Sequence, residues 1–245
     1  MALAENALST YERVRLALGL SVPTDDALAA EQLARVEFLI NAASASIERF
    51  VNHPLAFKAG VVEDVAPKGT NRLFVRRTPV RAIHSITLLQ YDRTPAIAFD
   101  PATYSCAGED AEAGLITRNI QAFGGASVQG VGWTWAADMA PDIAGSFLAG
   151  SERRAIRIVY DGGWITPAQA DTANGGQGGT ADLPADIELA CVWTAVGLQA
   201  NYGNNPNVSS ATLHQSSMSF DRGSPAAFIP AVAIGALNRY RRYAP

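Results

Sequence analysis

The segment from Thr24 to Val51 constrains the fold of this chain more than any other. Leu33, Val36, Ile40, Ala43, Ile47 and Phe50 recur at steps of three and four, which lines them up along one side of a helix. Thr24 is placed to cap that helix, and Asp25 and Asp26 fall in its first turn, where the helix dipole favours negative charge. Asn52-His53-Pro54 ends it, because proline disfavours helical geometry in the residue before it. At 1.5 Å per residue the element is roughly 40 Å long. A compact single-layer domain needs less, so the length suits a bundle or a radial spoke.

What surrounds this helix sets the fold class. Residues 10–20 read as a short helix carrying Val14, Leu16, Leu18 and Leu20, with Gly19 near its end. From Val61 to about Tyr160 the period changes to short strands. Leu73-Phe74-Val75, Ile83, Ile86 to Leu89, Phe99, Tyr104, Leu115-Ile116 and Ile156 to Tyr160 favour β structure, with Lys68-Gly69, Asp100-Pro101 and Gly108-Glu109-Asp110 as turns between them. Residues 121–151 are less regular and read as an extended loop with one strand. The glycine-rich run from Asn174 to Gly179 reads as a flexible linker.

A further helix opens at Asp182 and Pro184, with Asp186 and Glu188 in its first turn and Ile187, Ala190, Cys191, Thr194 and Leu198 inside. The polar stretch from Ser209 to Gly223 can make a weak hairpin or an arm. The last helix starts at Pro230 and carries Val232, Ile234, Leu237 and Tyr240. The expected fold is α+β: a helical bundle with long N-terminal and C-terminal helices and an inserted antiparallel β domain. Its expected boundaries are 1–58 for the N-terminal helical part, 59–166 for the β insertion and 180–245 for the C-terminal helices, which pack with 1–58 as one domain.

Composition excludes several functions. With 48% hydrophobic and 17% charged side chains among 245 residues, the chain can bury substantial cores. A net charge of −4 argues against wrapping nucleic acid, a task that needs surplus Lys and Arg to replace phosphate counterions. Met1 to Asn6 lacks the basic flank and apolar core of a leader, and no apolar run is long enough to span a bilayer, so a cytoplasmic protein with no membrane partner is expected. Cys106 and Cys191 have no metal-ligand spacing and read as reduced core thiols.

Catalytic constellations are equally sparse. The three histidines, His53, His84 and His214, are scattered, His53 at a helix stop and His84 in a β run. Glu63-Asp64, Glu109-Asp110 and Asp25-Asp26 are sequence neighbours, which a strand sends to opposite faces, so paired-carboxylate chemistry is unsupported. The Gly-Gly-Gln-Gly-Gly run has no Walker lysine. The expectation is a protein that is not an enzyme and carries no cofactor or metal. Trp133, Trp135 and Trp164 could stack a base or sugar, and read better as core or interface anchors. Arg72, Arg76 and Arg77 form a basic patch or a solvated strand face. The chain closes on Arg239-Tyr240-Arg241-Arg242-Tyr243, residue types enriched at interface hot spots, and this reads as a docking tail.

The order of the pieces carries a resemblance. Ile47-Glu48-Arg49-Phe50 closes the long helix; Leu73 to Val80 and Ile83-His84-Ser85-Ile86 follow, then Gly114-Leu115-Ile116, then Ile158-Val159-Tyr160-Asp161-Gly162-Gly163-Trp164, then Leu183-Pro184-Ala185-Asp186-Ile187. With the short terminal helix, this resembles the head-tail connector (adaptor, or head completion) proteins of long-tailed bacteriophages, from residue 24 to the end and least in 119–151. The resemblance implies a mostly helical protomer with a β insertion, assembled as a homo-oligomeric, usually dodecameric ring beneath the portal protein. Genomic double-stranded DNA passes through that ring without being read. The C-terminal segment, here Leu237, Arg239, Tyr240, Arg241, Arg242 and Tyr243, is implied to dock on the portal, and the opposite surface to receive the next neck or tail protein. The location implied is the head-tail junction of a virion, reached from the host cytoplasm. A mildly negative chain fits a lumen that must not hold phosphates. The region 89–151 is longer than a minimal adaptor needs. The alternatives are a β-rich ligand- or glycan-binding module on a helical stalk, with the three tryptophans as platform, or another neck or tail-completion protein.

Overall fold

A computed structural model describes residues 3–66, 71–89, 95–118, 155–171, 178–200, 210–213, 216–219 and 229–242. The chain divides into two compact units, one built from Met1–Ala56 and Trp164–Pro245 and the other from Phe57–Gly163. The fold is α+β.

In the first unit, α1 (Tyr11–Ala17) precedes α2 (Asp26–Val51). The cap of α2 is Asp25, not Thr24: Asp25 adopts extended backbone geometry, and its carboxylate accepts the Ala27 N–H at 2.8 Å. Val36, Ile40, Ala43, Ile47 and Phe50 are buried, as the stripe predicts, and Leu39, outside that stripe, is buried with them. Leu33 is the exception at 37% exposure, because the helix extends past the core at this end and nothing before Val36 in it is buried. Asn52 stops the helix in the left-handed region at φ 63°, a conformation asparagine tolerates because its short polar side chain bonds locally.

After the β unit, α4 (Pro167–Ala170) is a single turn held by a capping box. The Thr166 hydroxyl accepts Gln169 N–H at 3.2 Å, and the Gln169 side chain returns the bond to Thr166 N–H at 3.1 Å. Next comes α5 (Ala185–Ala200), antiparallel to α2: Arg35 donates to Gln199 at 3.0 Å at one level, and Ser44 Oγ meets Cys191 Sγ at 3.6 Å at another. A hairpin of β8 (Ser210–Leu213) and β9 (Ser216–Ser219) falls within the predicted polar arm. The last helix, α6 (Ala231–Leu237), starts after Pro230 as expected and tightens into a 3₁₀ turn over Asn238–Tyr240. Leu8, Val14, Ile187, Cys191, Ala195, Ala233 and Leu237 close the core with the α2 stripe.

The second unit holds two antiparallel sheets. One has strand order β1-β7-β3-β4, built from Lys58–Val65, Ile156–Gly162, Val80–Leu89 and Pro95–Ala98; the other has order β2-β6-β5, built from Arg72–Phe74, Leu115–Arg118 and Tyr104–Ser105. β7 is central and alternates fully, with Ile156, Ile158 and Tyr160 inward. It pairs with both β1 and β3, setting Tyr160 against Val61 and Ile83, and Ile158 against Ile86. Leu73, Val75, Val80, Ile86, Leu88, Phe99, Tyr104 and Ile116 complete this core. Gly108-Glu109-Asp110, expected as a turn, instead opens a short helix, α3 (Glu109–Ala113), bounded by Gly108 at φ 58° and Gly114 at φ 67°. Its run of carboxylates suits a helix start. The loop expected over 121–151 lies outside the described residues, as do residues 174–177 of the glycine linker.

Candidate functional site

The chain's C-terminal segment is laid against its own helical unit. Leu237 is fully buried in the core. One turn on, the Tyr240 ring meets Trp164 edge to face, with centroids 6.0 Å apart at 89°. The Tyr240 hydroxyl donates to the Asp186 carboxylate at 2.9 Å, and Arg239 forms an ion pair with the same carboxylate. The Arg239 guanidinium also lies 5.1 Å from the Tyr240 ring centre. Arg241 sits 5.2 Å over the Phe50 ring, and Arg242 donates its N–H to Val51 O at 2.9 Å. Asn52 Nδ2 then reaches Arg242 O at 3.3 Å, so the stop of α2 holds the tail. Sequence alone lists Arg239 to Arg242 as a basic aromatic tail; the structure adds its acidic receptor, Asp186, and an aromatic floor of Trp164 and Phe50.

Trp164 is half-buried and packed against the helical core, an anchor rather than an open platform. Trp133, Trp135 and Tyr243 lie outside the described residues.

The motif Tyr160-Asp161-Gly162-Gly163 is tied down residue by residue in the β unit. Tyr160 donates to Glu63 at 2.9 Å and accepts Arg77 N–H at 3.1 Å, and its burial pushes the phenol pKa well above its usual range. Asp161 Oδ1 accepts Gly60 N–H at 2.7 Å and lies 2.8 Å from His84 Nε2. The Gly60 bond, then the His84 bond, lower the Asp161 pKa. A Cβ on Gly162 would stand 2.8 Å from both Arg77 O and Tyr160 Cε2, so only glycine fits there. Gly163 turns at φ 101°. Each residue of this string thus has a structural role.

Basic side chains of the β unit sit beside carboxylates. Arg76 lies 3.7 Å from Glu63, and Arg157 binds Asp64 through two bonds of 2.8 and 3.0 Å. Phosphate would have to compete with these carboxylates. Arg118 is buried, its guanidinium 5.3 Å from the Phe99 ring, and desolvation lowers its pKa. His53 is buried with Nδ1 3.1 Å from Val51 O, at the carbonyl end of α2.

Nucleophilic chemistry finds little purchase. Burial pushes the Cys106 thiol up to about 11 and the Cys191 thiol up to about 12, so both are protonated and weakly nucleophilic at neutral pH. Cys191 is fully buried and Cys106 partly so. Among the described residues no group of three or more His, Cys, Asp or Glu side chains could hold a metal ion, and no described helix is long and apolar enough to cross a membrane. A groove of about 120 Å³ lined by Leu18, Leu20, Arg35, Val36, Leu39 and Gln199 is well below the roughly 300–1,000 Å³ of small-molecule sites.

No protein-family model matches the chain. No curated protein matches it either. Solved structures do match in fold. One is a chain in the neck of an empty GTA particle computed with C6 symmetry: TM-score 0.53, 17% identity, covering 100% of this chain and 94% of that one. Chains from the virion of a native gene transfer agent particle and from the neck of a native GTA particle computed with C12 symmetry align over the same shares, at TM-scores of 0.49 and 0.46 with 15% and 16% identity. The fold of this chain is therefore similar to that of a particle-neck subunit.

Proposed function

We propose that this chain is a structural virion protein, a head-tail connector subunit that joins capsid to tail as a ring beneath the portal. The observation that carries the reading is the full-length likeness of fold to a chain of a particle neck, across all of this chain and 94% of the other. The order of elements, a long helix, an antiparallel β insertion and a returning helical pair, supports the same reading. In this role the partners are further copies of the chain in a dodecameric ring, the portal, the next neck or tail protein, and double-stranded DNA in passage. The balanced Arg76–Glu63 and Arg157–Asp64 pairs suit a surface past which DNA slides, since paired cations release fewer counterions from phosphate.

The C-terminal segment remains the proposed portal contact, with a division of labour. Leu237 and Tyr240 anchor it to the helical core, while Arg239, Arg241, Arg242 and Tyr243 belong to the part that meets the portal. The experiment is electron microscopy of particles from a producing lysate, labelled with an antibody against this protein. Label at the head-tail junction is expected. Its absence from particles, with the protein present in the lysate, would overturn the reading.

A further inference from the structure

The helix α5 is apolar nearly all round. From Leu189 to Ala200 it carries no charged residue, and its side turned away from α2 presents Ala185, Leu189, Trp193, Val196 and Ala200. Leu189 is 44% exposed and Trp193 37%. A helix with apolar residues on every side is stable in water only when both sides are covered. The side of α2 turned away from its buried stripe carries Ala34, Phe38, Ala42 and Ala45 between two exposed charges, Glu31 and Arg49, with Phe38 48% exposed. Because α2 and α5 bury their other sides against one another, these two surfaces look out in opposite directions from one unit.

Two different apolar faces on opposite sides of one unit are what a head-to-tail, closing assembly requires, whereas a two-fold dimer needs one self-complementary patch. The in-chain pairing fixes the heights. Ser44 is level with Cys191 and Arg35 with Gln199, so along the antiparallel pair Trp193 is level with Ala42, Leu189 with Ser46 and Asp186 with Arg49. With the ring axis parallel to these helices, rotation from one copy to the next preserves height. The bulky Trp193 of one copy then faces the small Ala42 and Ala45 of the next, and Val196 faces Phe38. Large side chains on one face meet small ones on the other.

We propose that the outer face of α5, centred on Leu189 and Trp193, docks against the outer face of α2, centred on Phe38, Ala42 and Ala45, in a second copy of this chain. This rests on the ring reading above and names its seam. A helix of 16 residues offers a strip roughly 24 Å long and about 10 Å wide, on the order of 240 Å², against about 800 Å² a side for a standard stable interface. A single seam is therefore weak, and ring closure or a template holds the copies together.

The test uses particles assembled with the chain carrying Ala45→Cys, Leu189→Cys or both, oxidised and run on a non-reducing gel; wild type controls for Cys106 and Cys191. A ladder beyond dimers from the double variant, with none from either single variant, is expected. Dimers from Leu189→Cys alone would mean the face pairs with itself and would overturn the head-to-tail seam. No cross-link in the double variant, in particles that contain the protein, would assign the face to residues 201–228 or to another protein. Particles lacking even the wild-type protein would instead sink the connector reading, and the seam with it. Ala45→Arg, at an exposed helix position, gives a second readout: incorporation into particles falls at least about tenfold while the melting temperature stays near wild type, because the added charge is buried only between copies. Unchanged incorporation would overturn the proposal.

Discussion

Single side chains decide how the terminal segment and the β motif are held. Asp186 receives both the Tyr240 hydroxyl and the Arg239 guanidinium, so Tyr240→Phe removes a bond to a charged acceptor and keeps the ring on Trp164. The expected loss is about 1.5–3 kcal/mol in urea unfolding, the range for hydrogen bonds to charged groups. An unchanged midpoint would mean that water replaces the hydroxyl at no cost. Asp161 makes a pH prediction. Gly60 N–H and His84 hold its pKa below the ordinary aspartate value of 3.8. The carboxylate therefore binds fewer protons folded than unfolded, and its stabilisation is complete above 3.8 and disappears as pH falls through the lower folded value. Denaturation midpoints of wild type and Asp161→Asn should differ at pH 6 and converge towards pH 2. A gap that persists in acid would assign the effect to shape and not to charge. The sequence marks Asp186 only as part of a helix start and Gly60 not at all, because the roles described here come from residues 54 and 101 positions away.

At the scale of elements, legibility follows the range of the interactions that build them. The stripe of α2, the Pro184 start of α5 and the β-branched run of β7 were each readable because their signals lie within one segment. The edge strand β1 was harder: six of its eight residues are paired to β7 far along the chain, and its exposed side includes Lys58, Gly60, Val62 and Asp64. Only the partner strand tells that it is a strand. Caps fall between these cases. Two adjacent residues, Thr24 and Asp25, both suit a helix start, and one residue of register decides which side chain reaches the free N–H. Asp25→Ala should therefore cost about 1 kcal/mol and Thr24→Ala a few tenths, measured as helicity loss in thermal unfolding. Equal effects would place the cap elsewhere.

For the whole molecule, the question is which part of the C-terminal segment folds the chain and which part serves the particle. The sequence shows one continuous tail, and the division became visible only through burial: Leu237 is fully inside, Tyr240 packs on Trp164, and Arg242 is bonded to Val51 through its backbone. Removing residues 237–245 deletes a buried leucine, worth about 2–5 kcal/mol, together with the aromatic and backbone contacts. That sum rivals the roughly 5–15 kcal/mol that holds a whole domain, so the helical unit should lose its cooperative melt. Removing only 243–245 leaves every contact described here in place. This shorter chain should melt as wild type does and, if the tail meets the portal, should leave capsids unjoined to tails. Thermal melts followed by counts of complete particles separate the two effects. Full joining by the chain lacking 243–245 would move the portal contact off Tyr243 and onto Arg239, Arg241 and Arg242, whose charge reversal, with Leu237 and Tyr240 intact, then becomes the decisive comparison.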